Sequence, residues 1–176
     1  MMNKYTVDYT RSSIQFSVKH MIVSRIHGSF DSFSVQLLTD TANNLCDAQI
    51  AIAIDVASIS TKDLDRDRHL ISSDFFYADL YPKITFNTTQ IIELDEHLYN
   101  IVGDLTIKDT THPIHFKTTR IGSEIDSWGH AVISYAASTC IDRRKFNLVY
   151  HSILEKSGIL VSDDIDIFVE MKVYPL

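Results

Sequence analysis

The stretch "DAQIAIAIDV", Asp47 to Val56, sets Ile50, Ile52, Ile54 and Val56 against Gln49, Ala51, Ala53 and Asp55. Strict alternation of this kind describes a strand with one face in an apolar interior and the other in water. "SSIQFSVKH", Ser12 to His20, repeats it with Ile14, Phe16 and Val18 on one face. "DDIDIFVEMKV" does so again with Ile165, Ile167, Val169, Met171 and Val173, Phe168 being the exception. Weaker alternation covers Ile26–Leu38, Lys83–Gln90, Leu98–Lys108, His112–Ile121 and His130–Thr139. Turn-forming clusters separate these runs at Asp40–Asn44, Leu94–His97, Lys108–Pro113 and Glu155–Gly158. About eight strands joined mostly by short turns predict an all-β antiparallel barrel or sandwich, with residues 1–176 as a single domain.

The bulk composition narrows the function classes. Hydrophobic residues make up 45% and charged residues 22% of the 176, which is ordinary for a globular chain. A net charge of -7 without a Lys/Arg-rich block argues against nucleic acid and against an anionic membrane surface. The longest apolar run, Ala48–Ala57, is far short of the roughly 20 residues that span a bilayer, so no stable membrane insertion is expected. The opening residues show no apolar signal-peptide core, which predicts a soluble, cytoplasmic protein. Cys46 and Cys140 are expected to be free, buried thiols rather than a disulfide.

One segment departs from the β pattern. "LDRDRHLISSDFFYADLYPKITF", Leu64 to Phe86, starts with a dense run of charges and reads as a helix followed by an aromatic turn. Ser60 or Thr61 is the expected cap, with Asp63 and Asp65 in the first turn, where negative charge is favoured. At helical spacing Leu64, Ile71 and Phe75 share a face flanked by Leu70, and Asp65 and His69 form an i, i+4 surface pair. Tyr81–Pro82 ends the segment, since a residue preceding proline is pushed towards extended geometry. Such a unit suits a lid over one end of a sheet.

Chemistry-bearing motifs are sparse. His112 and His115, three apart on a strand, point to opposite faces and cannot easily share an ion, so no metal or other cofactor is expected. No nucleophile elbow, zinc-protease helix or glycine-rich phosphate loop occurs, and no catalytic residue is assigned. The run Asp65–Arg68 is expected to be a solvated ion-pair face. The aromatics Phe16, Phe75, Phe76, Phe86, Phe116, Phe146, Tyr135 and Trp128 are expected in the core. An eight-stranded barrel either fills with side chains or holds one small ligand, and Gly103, Thr118 and Ala137 leave room for a cavity.

Several segments resemble the YceI-like (polyisoprenoid-binding) family. They are Tyr5–Phe30 with its "FSVKH" strand, "DVASIST" followed by "DRDRHLISSDFFYADLYPKITF", "VGDLTIKDTTHPI", and "IDRRKFNLVYH" with "GILVSDDIDI". The resemblance keeps order and spacing over nearly the whole chain. It implies a lipocalin-like barrel capped at one end by the short helix, usually a homodimer, that carries a polyisoprenoid without transforming it. Under that resemblance the ligand-binding candidates are Phe16, Val18 and His20, then Ile52 and Ile54, then His69, Leu70, Phe75 and Phe76 of the lid. Phe86, Leu105, Ile107, Phe116, Ile133 and Tyr135 complete the set. His20, His69 and Arg143 are the expected polar groups at the mouth. Asp142 and Asn147 stand where the family commonly has Asn and Gly, and Ser157 and Ser162 replace glycines. Two alternatives stay open: a small lipid-acting enzyme using His20 or His69 as acid–base, and a ligand-free stress or interaction protein with a filled core.

Overall fold

The computed structural model describes residues 1–20, 23–149 and 161–176. The predicted turn at Glu155–Gly158, and with it Ser157, lies outside them.

Among the described residues the chain forms eleven strands: β1 (Asn3–Val7), β2 (Ser13–His20), β3 (Ser24–Phe30), β4 (Phe33–Thr39), β5 (Gln49–Asp55), β6 (Ile59–Ser60), β7 (Lys83–Asp95), β8 (Leu98–Ile107), β9 (Thr110–Ile125), β10 (Ala131–Asp142) and β11 (Val161–Pro175). Helix α1 spans Leu64–Ile71. Eight strands close an antiparallel barrel in the order β1-β4-β5-β7-β8-β9-β10-β11, with β1 bonding back to β11 through Val7↔Val173. Closure removes the free edges that an open sheet would leave for aggregation.

The long strand β11 pairs with β10 along one edge and with two strands along the other. Its C-terminal part pairs with β1, while Ile165–Glu170 pair with β2, which carries β3 and the short β6 beyond the ring. The barrel therefore has two different ends. At one, the floor, lie the loop after β4 and the turns β7–β8 and β9–β10; at the other, the lid, lie α1, the β8–β9 turn and Arg143.

Three expectations about elements are corrected, and the helix followed by an aromatic turn is found as expected. Ile26–Leu38 is two strands, because the chain turns at Asp31–Ser32 between β3 and β4. The helix cap is Asp63, whose side chain accepts the Arg66 N–H; β6 holds Ser60 extended, and Lys62 adopts φ +63°. Leu64 is 74% exposed, whereas Leu70 is 6% exposed: the first helical residue overhangs solvent and the last turn meets the barrel. The helix stops at Ile71, and Phe75–Phe76 follow in a turn held by Phe76 N–H donating to the Leu70 carbonyl.

Cys46 and Cys140 are exposed free thiols rather than buried ones, one in the floor loop and one on the outward row of β10. Trp128 is likewise no core residue; it sits 82% exposed at the tip of the β9–β10 turn. Asn147 takes the left-handed conformation (φ +58°) after the 3-10 turn Arg143–Phe146. This position suits glycine, and asparagine is among the residues that tolerate it. Asp142 caps the same turn by accepting the Arg144 N–H.

Candidate lipid cavity

Inward rows of the strands surround a cavity of about 220 Å³. Its wall is almost wholly aliphatic and aromatic. On β11 the lining residues Ile165, Ile167 and Val169 are only half-buried, and full burial begins at Met171 and Val173. The unfilled space follows the inward rows and narrows towards the floor, where Met171 and Val173 still border it.

The floor is a pinned loop. Tyr135, buried on β10, donates its hydroxyl to the Ala42 carbonyl, while Leu45 lines the cavity beside it. Thr39 donates to Asp47 Oδ1 at 2.9 Å, and the Asp40 N–H donates to Asp47 Oδ2 at 3.0 Å. The second of these holds the Asp47 carboxyl below its usual range. Desolvation pushes the phenols of Tyr99 and Tyr135 upward, so both stay neutral donors at ordinary pH.

The lid is aromatic below and charged above. Phe16, Phe30, Phe76 and Phe75 form a chain of ring contacts with centroid distances of 5.6, 6.1 and 5.0 Å. Thr61 is buried and donates through both N–H and hydroxyl to Asp67, at 2.9 and 2.6 Å. Arg66 donates to the Thr61 hydroxyl and carbonyl, at 2.7 and 2.8 Å, and lines the cavity. Arg66 and Asp67 therefore turn inward to brace the helix on β6 instead of forming the expected solvated face. The Asp65–His69 pair is not formed: Asp65 meets Arg68 at 3.4 Å, and His69 Nε2 lies 3.6 Å from Asp74.

Arg143, expected as a polar group at the mouth, is a buried cation in the cavity wall. It is 6% exposed and donates to the carbonyls of Ser162 (3.1 Å) and Leu148 (2.7 Å), with Asp163 at 2.9 Å. The half-buried Arg66–Thr61 brace has no sequence signal, because a charged helix start looks the same in sequence whether it faces water or a mouth.

Of the residues singled out from the sequence, Phe16 and Val18 of β2, Ile52 and Ile54 of β5 and Leu70, Phe75 and Phe76 of the lid line the cavity. So do Phe86, Leu105, Ile107, Phe116 and Tyr135. Three do not. Ile133 is core at the floor, His20 ends the inward row of β2 beyond Val18, and His69 is turned to Asp74. Gly103 does not widen the cavity. Its missing side chain makes room for the Phe86 ring, which a Cβ there would approach to 2.5 Å, and Gly28 accommodates Phe16 in the same way. His112 and His115 engage different neighbours, the Lys145 carbonyl at 3.0 Å and Asn100 at 3.1 Å. Among the described residues no group of three or more metal-ligating side chains converges, and no helix is long and apolar enough to cross a membrane.

Comparison with known proteins bears on this architecture. A UPF0312 protein of Staphylococcus epidermidis is 36% identical over 165 residues, covering 93% of each chain, and one from Staphylococcus aureus is 35% identical over the same span. Among solved structures, Burkholderia cenocepacia BcnA superposes with TM-score 0.80 at 25% identity, covering 95% of this chain and 98% of that one. The Campylobacter jejuni YCEI protein gives 0.76 at 26% identity, covering 90% of each. A polyisoprenoid-binding domain from Saccharophagus degradans shares the fold, with TM-score 0.70 at 13% identity over 98% of each chain. The YceI-like domain profile matches residues 5–173, and the chain belongs to that family.

Proposed function

We propose that residues 1–176 act as one lipid-binding domain, which encloses the apolar chain of an isoprenoid or related amphiphile without transforming it chemically. The observation that carries this reading is a long apolar cavity whose only guanidinium groups, Arg66 and Arg143 among the described residues, both belong to the lid end. An amphiphile matches that polarity: chain against Ile52, Ile167 and Phe116, head group at the lid. The fold shared with a polyisoprenoid-binding domain supports it.

Burial of the chain supplies the affinity, at roughly 0.8 kcal/mol per methylene. A head-group hydrogen bond adds only about 1 kcal/mol, so the lid sets preference more than strength. An acid–base enzyme using His20 or His69 gains no support, since neither lines the cavity. A filled, ligand-free core is disfavoured by the half-buried inward row of β11. A homodimer and a cytoplasmic location remain part of the proposal, and light scattering and cell fractionation test them.

Mass spectrometry of an organic extract of the purified protein, beside an unrelated protein from the same host, tests the reading. A stoichiometric isoprenoid or related lipid is expected. An extract without lipid, together with no rise in Tm on adding isoprenoid alcohols, would overturn it, because a ligand bound only by the folded state must raise apparent stability.

A further inference from the structure

We infer that the barrel is loaded and emptied through its side: the apolar chain passes between β9 and β10 in the lid half of the wall, and Phe146 is the plug. The inference rests on the lipid-binding reading and adds to it the route into the cavity.

The wall is unzipped there. The β9–β10 ladder ends at Ser138↔Lys117. Both strands nevertheless continue: β10 runs on to Asp142 along β11, and β9 begins at Thr110 along β8. Pro113, within this stretch, has no N–H to offer a neighbour, and proline in a strand belongs at an edge. Between the diverging strands lies a second cavity of about 210 Å³. His112, Pro113 and Ile114 border it on one side, and Cys140, Ile141 and Asp142 on the other. Ile141 borders the central cavity as well, so the two spaces share a wall.

The 3-10 turn Arg143–Phe146 fills the split. Phe146 is 1% exposed, packs edge-on against the His112 ring at 5.2 Å and does not line the central cavity. Two hydrogen bonds that involve no ion pair fasten the turn to β9. His112 Nε2 donates to the Lys145 carbonyl at 3.0 Å, and Asn147 Nδ2 donates to the Thr110 hydroxyl at 3.0 Å. The lid is fastened differently. The three guanidinium nitrogens of Arg143 engage Ser162, Leu148 and Asp163, while Arg66 and Asp67 hold Thr61 beneath α1. Hydrogen bonds to ionised groups are about twice as strong as neutral ones. Entry by the lid breaks several of them, whereas a swing of Phe146 gives up its ring packing and the two bonds to β9.

The test follows delipidated protein by stopped flow as it takes up all-trans-retinol, an isoprenoid alcohol whose fluorescence rises in apolar surroundings. Release is then followed by transfer of the retinol to phosphatidylcholine vesicles. Thr110→Val removes the acceptor for Asn147 at a residue outside the central cavity. Uptake and release should both quicken about fivefold, with Kd unchanged. Phe146→Leu, which lifts the ring from His112, should act in the same direction. Thr110→Cys with Asn147→Cys, in a Cys46→Ser and Cys140→Ser background, supplies the opposite arm. Joined by a short bis-methanethiosulfonate, the pair should slow both rates by at least the same factor relative to its own reduced form, and reductant should restore them. Rates unmoved by the bridge or by either opening variant, or a Kd that moves in their place, would overturn the side route while leaving lipid binding intact. Retinol that does not bind the unaltered protein would overturn both readings.

Discussion

At the floor, Tyr135, Leu45 and the loop after β4 close the barrel with groups whose hydrogen bonds run within the loop and its immediate supports. At the lid, a two-turn helix, two phenylalanines and two arginines do so, and the arginines hold backbone carbonyls and Thr61 while bordering an apolar space. One end resembles an ordinary protein core. The other keeps charge at a hydrophobic mouth, where a buried cation costs stability unless it is paired and hydrogen-bonded. The difference shows where the fold spends stability on something other than folding.

The largest expected effect breaks the wall between the ends. Phe16→Asp places a carboxylate against the lid aromatics in an apolar wall, and should cost about 4 kcal/mol or more. Chemical denaturation and lipid extraction measure it, and a folded variant that still carries lipid would contradict the inward assignment of Phe16.

Removing one anchor from each end comes next. Arg143→Met leaves two carbonyls and Asp163 without their donor, a loss of about 3 kcal/mol. Tyr135→Phe removes one neutral hydrogen bond at the floor and should cost about 1 kcal/mol. Equal shifts in the two midpoints would erase the asymmetry. Asp63→Ala deletes the helix cap, an expected loss of about 1 kcal/mol read mainly as faster hydrogen exchange in α1; exchange rising equally in the floor loop would mean that the ends are coupled.

The smallest effect is set by pH. Asp47 has a folded pKa below its unfolded value, chiefly through the Asp40 N–H and then Thr39. Its contribution is therefore present above the ordinary carboxylate pKa of about 3.9 and is lost as pH falls through the lower folded value. Acid should loosen the floor, and Asp47→Asn should flatten the acid limb of Tm against pH. An unchanged limb would show that the loop is held by packing instead.

The strands were legible because alternation needs only a local rule. Ile50, Ile52 and Ile54, or Ile165, Ile167 and Val169, cannot be read on any face but the inner one, and two-residue periodicity carries over the whole strand. The family could be read from the order and spacing of "FSVKH", the Asp65–Phe76 run and "YPKITF". Turn chemistry was legible in part: Asn147 stands at a left-handed position, yet the turn at Asp31–Ser32 that splits Ile26–Leu38 into β3 and β4 has neither Gly nor Pro.

Other features depend on which strands meet, and periodicity holds no information about that. The sequence determined that Phe16 and Phe86 face inward. Only the register of β2 on β3 and of β7 on β8 decided that their rings lie over Gly28 and Gly103, so that these glycines fill the barrel wall rather than open it. A charge in a helix start carries no mark of its neighbours, so Arg66 and Asp67 read as solvated until β6 brought Thr61 beneath them. His20 and His69 carried the right chemistry for a mouth, but strand length and helix rotation keep both off the cavity. What alternation determines is a face. Which groups share that face at one depth is a long-range property, set by eight strands closing on one another.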